Sequence, residues 1–258
     1  MEVWDETAPF AGIVGLGHAE DKENLLSALG VQSFSFCLRR DTQVAPGLLV
    51  MDTSSSHPLL RSGAAFKSIP ILNSKYWATV MTDVALRGFN DPNICTPSCA
   101  AIIDSGTSVV TLPPAARGLV RHIETHIQHK CDDVSGLPSL RFMLAGVQVE
   151  LPPELYLVRK PNTLECSHVF VVLDKASPYG PVWVLGLPFL RAYYSVFNRA
   201  LKQVSLAPSD PSCTLLDTAS GHAFWSQAQA GHATNKTRIG PGKRQLFPIV
   251  ADLSKPLL

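Results

Sequence analysis

The stretch AIIDSGTSVVTLPP, residues 101–114, restricts what this chain can fold into more than any other segment. Three apolar residues, Ala101, Ile102 and Ile103, lead into a single carboxylate at Asp104. Ser105, Gly106, Thr107 and Ser108 follow, then a second apolar run from Val109 to Leu112, closed by Pro113 and Pro114. Alanine, isoleucine and valine on both sides predict a buried β-hairpin or a loop between strands. A carboxylate in such a place is expensive unless it is hydrogen-bonded. The segment supplies what the acid needs: a glycine that lets the backbone turn sharply and bring N–H groups near it, and three hydroxyls that can donate to it. Such a setting is functional more often than structural.

Composition sets the outer limits. A chain of 258 residues is long enough for one or two domains with a sizeable core. A formal charge of +1 points to neither nucleic acid nor an anionic membrane surface as partner. Charged residues make up 17% and hydrophobic ones 46%, which suits a β-rich, well-buried protein. No apolar run is long enough to span a bilayer, and MEVWDETAPF does not read as a signal peptide. Among six cysteines, Cys95 and Cys99 are spaced for a short disulfide or for half a metal site. Cys37 and Cys213 have no assigned partner and read as free buried thiols.

Hydrophobic periodicity places the remaining elements. Residues 20–29 read as a short helix with acidic residues in its first turn. Phe34, Phe36 and Leu38 alternate with Ser35 and Cys37 as a strand, and Tyr76 to Leu86 is another. Pro113 to Lys130 is predicted as a helix with proline near its start. Its apolar stripe is Ala116, Leu119, Val120, Ile123 and Ile127. Residues 137–157 alternate about Ala145-Gly146, a hairpin signature. Val169 to Leu173 and Val182 to Leu185 are further strands, and Val196 to Leu206 is the last. From about Ser209 the composition shifts to Ser, Gly, Pro, Gln and basic residues, so 209–258 is predicted to be a disordered tail.

Two features compete for attention. Asp52-Thr53-Ser54 also ends an apolar run, but it lacks a glycine and reads as a turn. His122, His126 and His129 line one helical face and could bind zinc or copper. No carboxylate or cysteine stands at an obvious fourth position, so a solvated helix face is the simpler reading and no metal is expected.

The pattern apolar-apolar-Asp-Ser/Thr-Gly-Ser/Thr resembles the active-site motif of pepsin-like aspartic proteases, in the second of its two copies. Cys95-Thr-Pro-Ser-Cys99 is similar to the small disulfide loop that precedes that copy. Trp183-Val-Leu-Gly186, Pro188-Phe-Leu-Arg191 and Tyr193-Tyr-Ser-Val-Phe197 resemble the family's ILGD-x-FLR-x-YY-x-VFD segment. Ala8-Pro-Phe10 and Gly12-Ile-Val-Gly-Leu-Gly17 resemble the APFDGILGLG stretch that closes the amino-terminal lobe. The likeness runs in order from about residue 8 to about residue 208. Leu187 and Asn198 depart from it, each standing where the family usually has Asp.

The resemblance implies a mainly β, pepsin-like acid protease fold with an incomplete amino-terminal lobe. It divides the chain into 1–50, a remnant of that lobe and of the inter-lobe sheet; 51–208, the carboxy-terminal lobe; and the tail, 209–258. It makes Asp104 one of two catalytic aspartates, with Ser105, Gly106, Thr107 and Ser108 lining the cleft. It pairs Cys95 with Cys99 and Cys131 with Cys166, which fits an oxidising, secreted or vacuolar/lysosomal setting. The implied activity is endoproteolysis of an extended polypeptide, without metal or cofactor. The first Asp-Thr/Ser-Gly is absent from these residues, so a missing amino-terminal lobe is the expected partner. The alternatives are a catalytically inactive peptide- or protein-binding relative, and a homodimer in which two copies of Asp104 meet.

Overall fold

The alternating residues near position 34 do form a strand, and both of its faces are covered. The computed structural model describes residues 13–18, 24–40, 47–51, 66–72, 75–89, 91–127, 134, 136–159, 165–209 and 213. In chain order its strands are β1 (Ser33–Cys37), β2 (Leu48–Met51), β3 (Lys67–Pro70), β4 (Ala78–Leu86), β5 (Cys99–Ile103), β6 (Val110–Leu112), β7 (Leu140–Leu144) and β8 (Val147–Leu151). They continue as β9 (Leu157–Arg159), β10 (Cys166–His168), β11 (Phe170–Val172), β12 (Ala176–Ser177), β13 (Gly180–Leu185), β14 (Tyr193–Asn198) and β15 (Gln203–Pro208). The helices are short: α1 (Leu25–Ala28), α2 (Arg117–His126), α3 (Pro153–Tyr156) and α4 (Leu187–Leu190). The fold is mainly β, as the sequence predicts.

One sheet runs β2-β1-β14-β15-β3. In it Phe34 lies opposite Phe197 and Phe36 opposite Ser195. The rings of Phe34 and Phe197 stack at 4.9 Å, with Trp77 edge-on to both. On the other face Ser35 shares a 2.8 Å hydrogen bond with the Tyr194 hydroxyl, and Cys37 is joined to Cys213 by a disulfide. That disulfide corrects the expectation of free thiols at both positions. Cys213 lies 176 residues along the chain, so spacing gave no hint of the pair. It also carries a fixed connection past residue 209; residues 214–258 lie outside the described residues.

The second sheet runs β11-β6-β13-β5-β4-β7-β8, with β12 paired to β13. The predicted hairpin at 137–157 is β7–β8, turned by Ala145 (φ 45°) and Gly146 (φ 86°). Two consecutive residues with positive φ give the primed turn whose twist suits a two-residue hairpin. The free edge of β8 is sealed by Tyr193, whose hydroxyl accepts from the Glu150 N–H and donates to the Glu150 carbonyl.

Other elements differ from expectation at their limits. Pro114–Ala116 form a 3-10 turn before α2, and α2 ends at His126, where Ile127 becomes extended. Ala116, Leu119 and Ile123 of the predicted stripe are buried, with Val120 and Ile127 packed against the core. The single strand expected from Val196 to Leu206 is instead the β14–β15 hairpin. Asn198 breaks it: its Oδ1 accepts the Leu201 N–H at 2.8 Å, and Lys202 turns through φ 49°. Of the helix expected at 20–29 the described part is α1, capped by Asn24 Oδ1 on the Ser27 N–H.

Candidate active site

Asp104 reaches its position because β5 is held on both sides. All five residues of β5 are buried. At its end, the Ile103 N–H donates to the Trp77 carbonyl at 2.8 Å and the Asp104 N–H donates to the Leu185 carbonyl at 3.1 Å. Strand β13 runs parallel to β5, with Leu185 beside Ile103, and antiparallel to β6, with Leu185 beside Val110. The two apolar runs that flank the acid therefore do not pair with each other as a hairpin. A third strand lies between them, and residues 104–109 arch over its end.

That arch leaves no room beneath it. The Leu187 N–H donates to the Thr107 carbonyl at 2.8 Å. A Cβ on Gly186 would stand 2.2 Å from the carbonyl oxygens of both Thr107 and Val109, closer than any side chain can approach. Glycine is required here for close approach rather than for an unusual backbone angle. Thr111 completes the seam, its Oγ1 accepting the Val184 N–H at 3.1 Å.

Within the arch the carboxylate is half-buried and oriented by its own loop. The Gly106 N–H donates to Oδ1 at 2.9 Å, and the Thr107 hydroxyl donates to Oδ2 at 2.5 Å. Two of roughly four acceptor positions on the carboxylate are filled in this way. Of the three hydroxyls that the sequence offers, it is Thr107's that reaches the acid; Ser105 and Ser108, like Gly106, are exposed. The result is a fixed carboxyl group on an open rim, with acceptor capacity left for a water or a second acid.

Sequence reasoning missed Trp77 and its partner Leu16. The Trp77 indole N–H donates to the Leu16 carbonyl at 2.7 Å, and its ring meets His18 edge-on at 4.9 Å. The available signal was a tryptophan at the start of a strand, since a buried indole N–H usually finds an acceptor. Residues 13–18 are thereby tied to β5. Ile13 and Val14 are nevertheless 77% and 66% exposed. Ala8, Pro9, Phe10 and Gly12 lie outside the described residues.

The cysteines and histidines settle as follows. Cys95 and Cys99 form the short disulfide, which disposes of their reading as half a metal site. Cys166 is disulfide-bonded, and its expected partner, Cys131, lies outside the described residues. The rings of His122 and His126 lie 4.2 Å apart, with His126 Nδ1 on the His122 carbonyl, and His129 lies outside the described residues. His168 pairs with Glu124 at 3.0 Å. Among the described residues no group of three His, Cys, Asp or Glu side chains could hold a metal ion. Asp52, Thr53 and Ser54 also lie outside. A polar cavity of about 270 Å³ is lined by His18, Ser27, Gln32 and Arg199, but the Arg199 guanidinium already donates to Ser27 Oγ and the Val31 carbonyl. No helix among the described residues is long and apolar enough to cross a membrane.

Comparison with known proteins adds an independent finding. The sequence pattern of the family described as eukaryotic aspartyl protease matches residues 3–209. Cathepsin D of Chionodraco hamatus is 31% identical over 221 residues, 78% of this chain and 54% of that protein. Cathepsin E of Rattus norvegicus is 28% identical over 79% of this chain and 55% of its own length. Pepsin A of Bos taurus is 27% identical over 78% and 56%. The chain thus spans about half the length of the relatives it matches.

Proposed function

Because this chain belongs to the eukaryotic aspartyl protease family, we propose that it is the carboxy-terminal part of an aspartic endopeptidase and that Asp104 is one of its two catalytic carboxylates. The observation that carries this reading is the acid itself: half-buried, held by the Gly106 N–H and the Thr107 hydroxyl, on a loop whose rim is exposed. A structural aspartate would spend its acceptor capacity on its own fold. This one keeps part of it for a ligand.

Hydrolysis by two aspartates needs them close enough to share one proton and to hold a water between them. The ionised member takes a proton from the water, whose oxygen then bonds to the scissile carbonyl carbon. The protonated member donates to the carbonyl oxygen, giving a neutral tetrahedral diol. Transfer of a proton to the amide nitrogen then releases the amine as the C–N bond breaks and the new carboxyl forms. Asp104 supplies one carboxyl, and Ser105, Gly106, Thr107 and Ser108 line the substrate cleft. The second carboxyl comes from an amino-terminal lobe, of which residues 1–50 are the end and a contribution to the inter-lobe sheet; residues 51–208 are the carboxy-terminal lobe. The exposure of Ile13 and Val14 supports that arrangement, since two large apolar side chains of the segment bonded to Trp77 are left in water. The substrate is an extended polypeptide with apolar side chains flanking the cut. Disulfides at Cys37–Cys213 and Cys95–Cys99 support a secreted or vacuolar/lysosomal location.

A peptide with a hydroxymethylene in place of the scissile amide tests the reading, because its hydroxyl takes the place of the attacking water. It is expected to bind the native protein at acid pH and to lose affinity by about tenfold or more in Asp104→Ala. Equal binding by Asp104→Ala would favour a peptide-binding protein that uses the cleft without chemistry.

A further inference from the structure

We propose that Trp77 is a positioning residue that sets residues 13–18 in place relative to Asp104. This inference rests on the endopeptidase reading above and deepens it. Trp77 is buried immediately before β4, where one residue meets three parts of the molecule. Its carbonyl accepts the N–H of Ile103, the residue next to Asp104. Its indole N–H donates to the Leu16 carbonyl at 2.7 Å. Its ring packs edge-on against Phe34 and Phe197 of the first sheet, at 5.7 and 5.0 Å, and against His18 at 4.9 Å.

The two hydrogen bonds lie in series. From the Leu16 carbonyl through the indole and backbone of Trp77 to the Ile103 N–H, the path is a single rigid side chain with two torsions. The aromatic stack fixes those torsions. Ile13 and Val14 are exposed and a Cβ on Gly15 would meet nothing within 4 Å, whereas Leu16 packs against the core, so the Trp77 bond falls where residues 13–15 join the packed part of the molecule. A shared-proton pair tolerates little error in the separation of its members, and a misplacement of about 1 Å can cost about a hundredfold in rate. A segment that brings the second carboxyl toward Asp104 therefore needs a fixed reference to β5, and Trp77 is that reference.

Trp77→Phe keeps an aromatic ring in the stack and removes the indole N–H together with the five-membered part of the ring. In the native full-length protein, peptide hydrolysis by this variant is expected to fall in kcat by about 10- to 100-fold, with KM changed less than about twofold. Phe142→Leu, a buried aromatic of β7 whose ring packs on Phe189 rather than in the Trp77 stack, serves as control: it should lower thermal stability and leave kcat unchanged. A wild-type kcat in Trp77→Phe, or an equal fall in Phe142→Leu, overturns the inference. Amide hydrogen exchange on the unmodified protein decides the matter if the variant does not fold. Protection of residues 15–17 that rises and falls with that of Ile103 is expected, whereas free exchange of residues 15–17 beside a protected Ile103 overturns it. If the unmodified protein cleaves no peptide that Asp104→Asn leaves intact, the endopeptidase reading fails instead, and the exchange measurement still judges Trp77.

Discussion

Two segments of this chain carry the same three-residue pattern and end in opposite surroundings. Val184-Leu185-Gly186 passes beneath the Asp104 arch: Leu185 is buried, and Gly186 lies so close to the Thr107 and Val109 carbonyls that any side chain would collide with them. Ile13-Val14-Gly15 lies in the open, with both apolar side chains exposed and empty space around Gly15. A glycine earns its place under a loop, and an apolar pair does so inside a sheet. One segment has both. The other has neither among the described residues, as the proposed reading expects of a segment that would cross a loop of an amino-terminal lobe.

Substitution of the two glycines breaks or sharpens that contrast most strongly. Gly186→Ala should displace the arch and destabilise the fold by about 3 kcal/mol or more, because the clash is with backbone rather than a flexible side chain. Gly15→Ala in the chain of 258 residues should change stability by less than about 0.5 kcal/mol. In the native full-length protein Gly15→Ala should approach the Gly186→Ala penalty, since a second loop would then lie over it. Thermal melts of the four proteins check this, and a Gly15→Ala that stays silent in the full-length protein would break the comparison. Next in size is Thr107→Val, which keeps the shape and removes the hydroxyl that orients the Asp104 Oδ2. A hydrogen bond to a charged group is worth about 1.5–3 kcal/mol, so kcat should fall by about 10- to 100-fold.

The closed half carries a further signature at alkaline pH. Tyr193 is fully buried, and burial pushes its phenol well above the ordinary 10.0. A group that holds its proton more tightly when folded contributes stability fully below the unfolded value, and that contribution is lost as pH rises through the folded one. Unfolding free energy should therefore be level from neutral pH to about pH 10 and fall beyond it. Tyr193→Phe should lower the level part by about 1–3 kcal/mol, through the two lost Glu150 bonds, and flatten the alkaline fall. A smaller loss is expected from Asn198→Ala, about 1 kcal/mol for one turn-closing bond. As a neutral amide Asn198 closes its turn equally well in acid, where an aspartate in that place would protonate.

The sequence was most informative where pattern and local chemistry coincide. The β7–β8 hairpin follows from alternation about Ala145-Gly146, and the buried stripe of α2 from its spacing. The Asp104 loop could be read from its residue types, though the strand inserted between its two arms could not be read from them, because long-range parallel pairing leaves no local trace. The Cys37–Cys213 bond was illegible for the same reason. The break at Asn198 lies in a run of otherwise suitable strand residues, and only the side-chain bond to Leu201 reveals it. Trp77 shows a different limit: its type makes a hydrogen bond the ordinary outcome of burial, while the acceptor, Leu16, is fixed by folding alone, and the buried Trp183 N–H finds no partner among the described residues.

Steady-state peptide hydrolysis at acid pH, comparing the native full-length protein with Asp104→Asn, tests the central claim most directly. Loss of a member of a two-group acid–base unit should reduce kcat on the order of 10⁴-fold or more, with the melting transition essentially unchanged. Hydrolysis that survives in Asp104→Asn would contradict the account and place the chemistry elsewhere in the molecule.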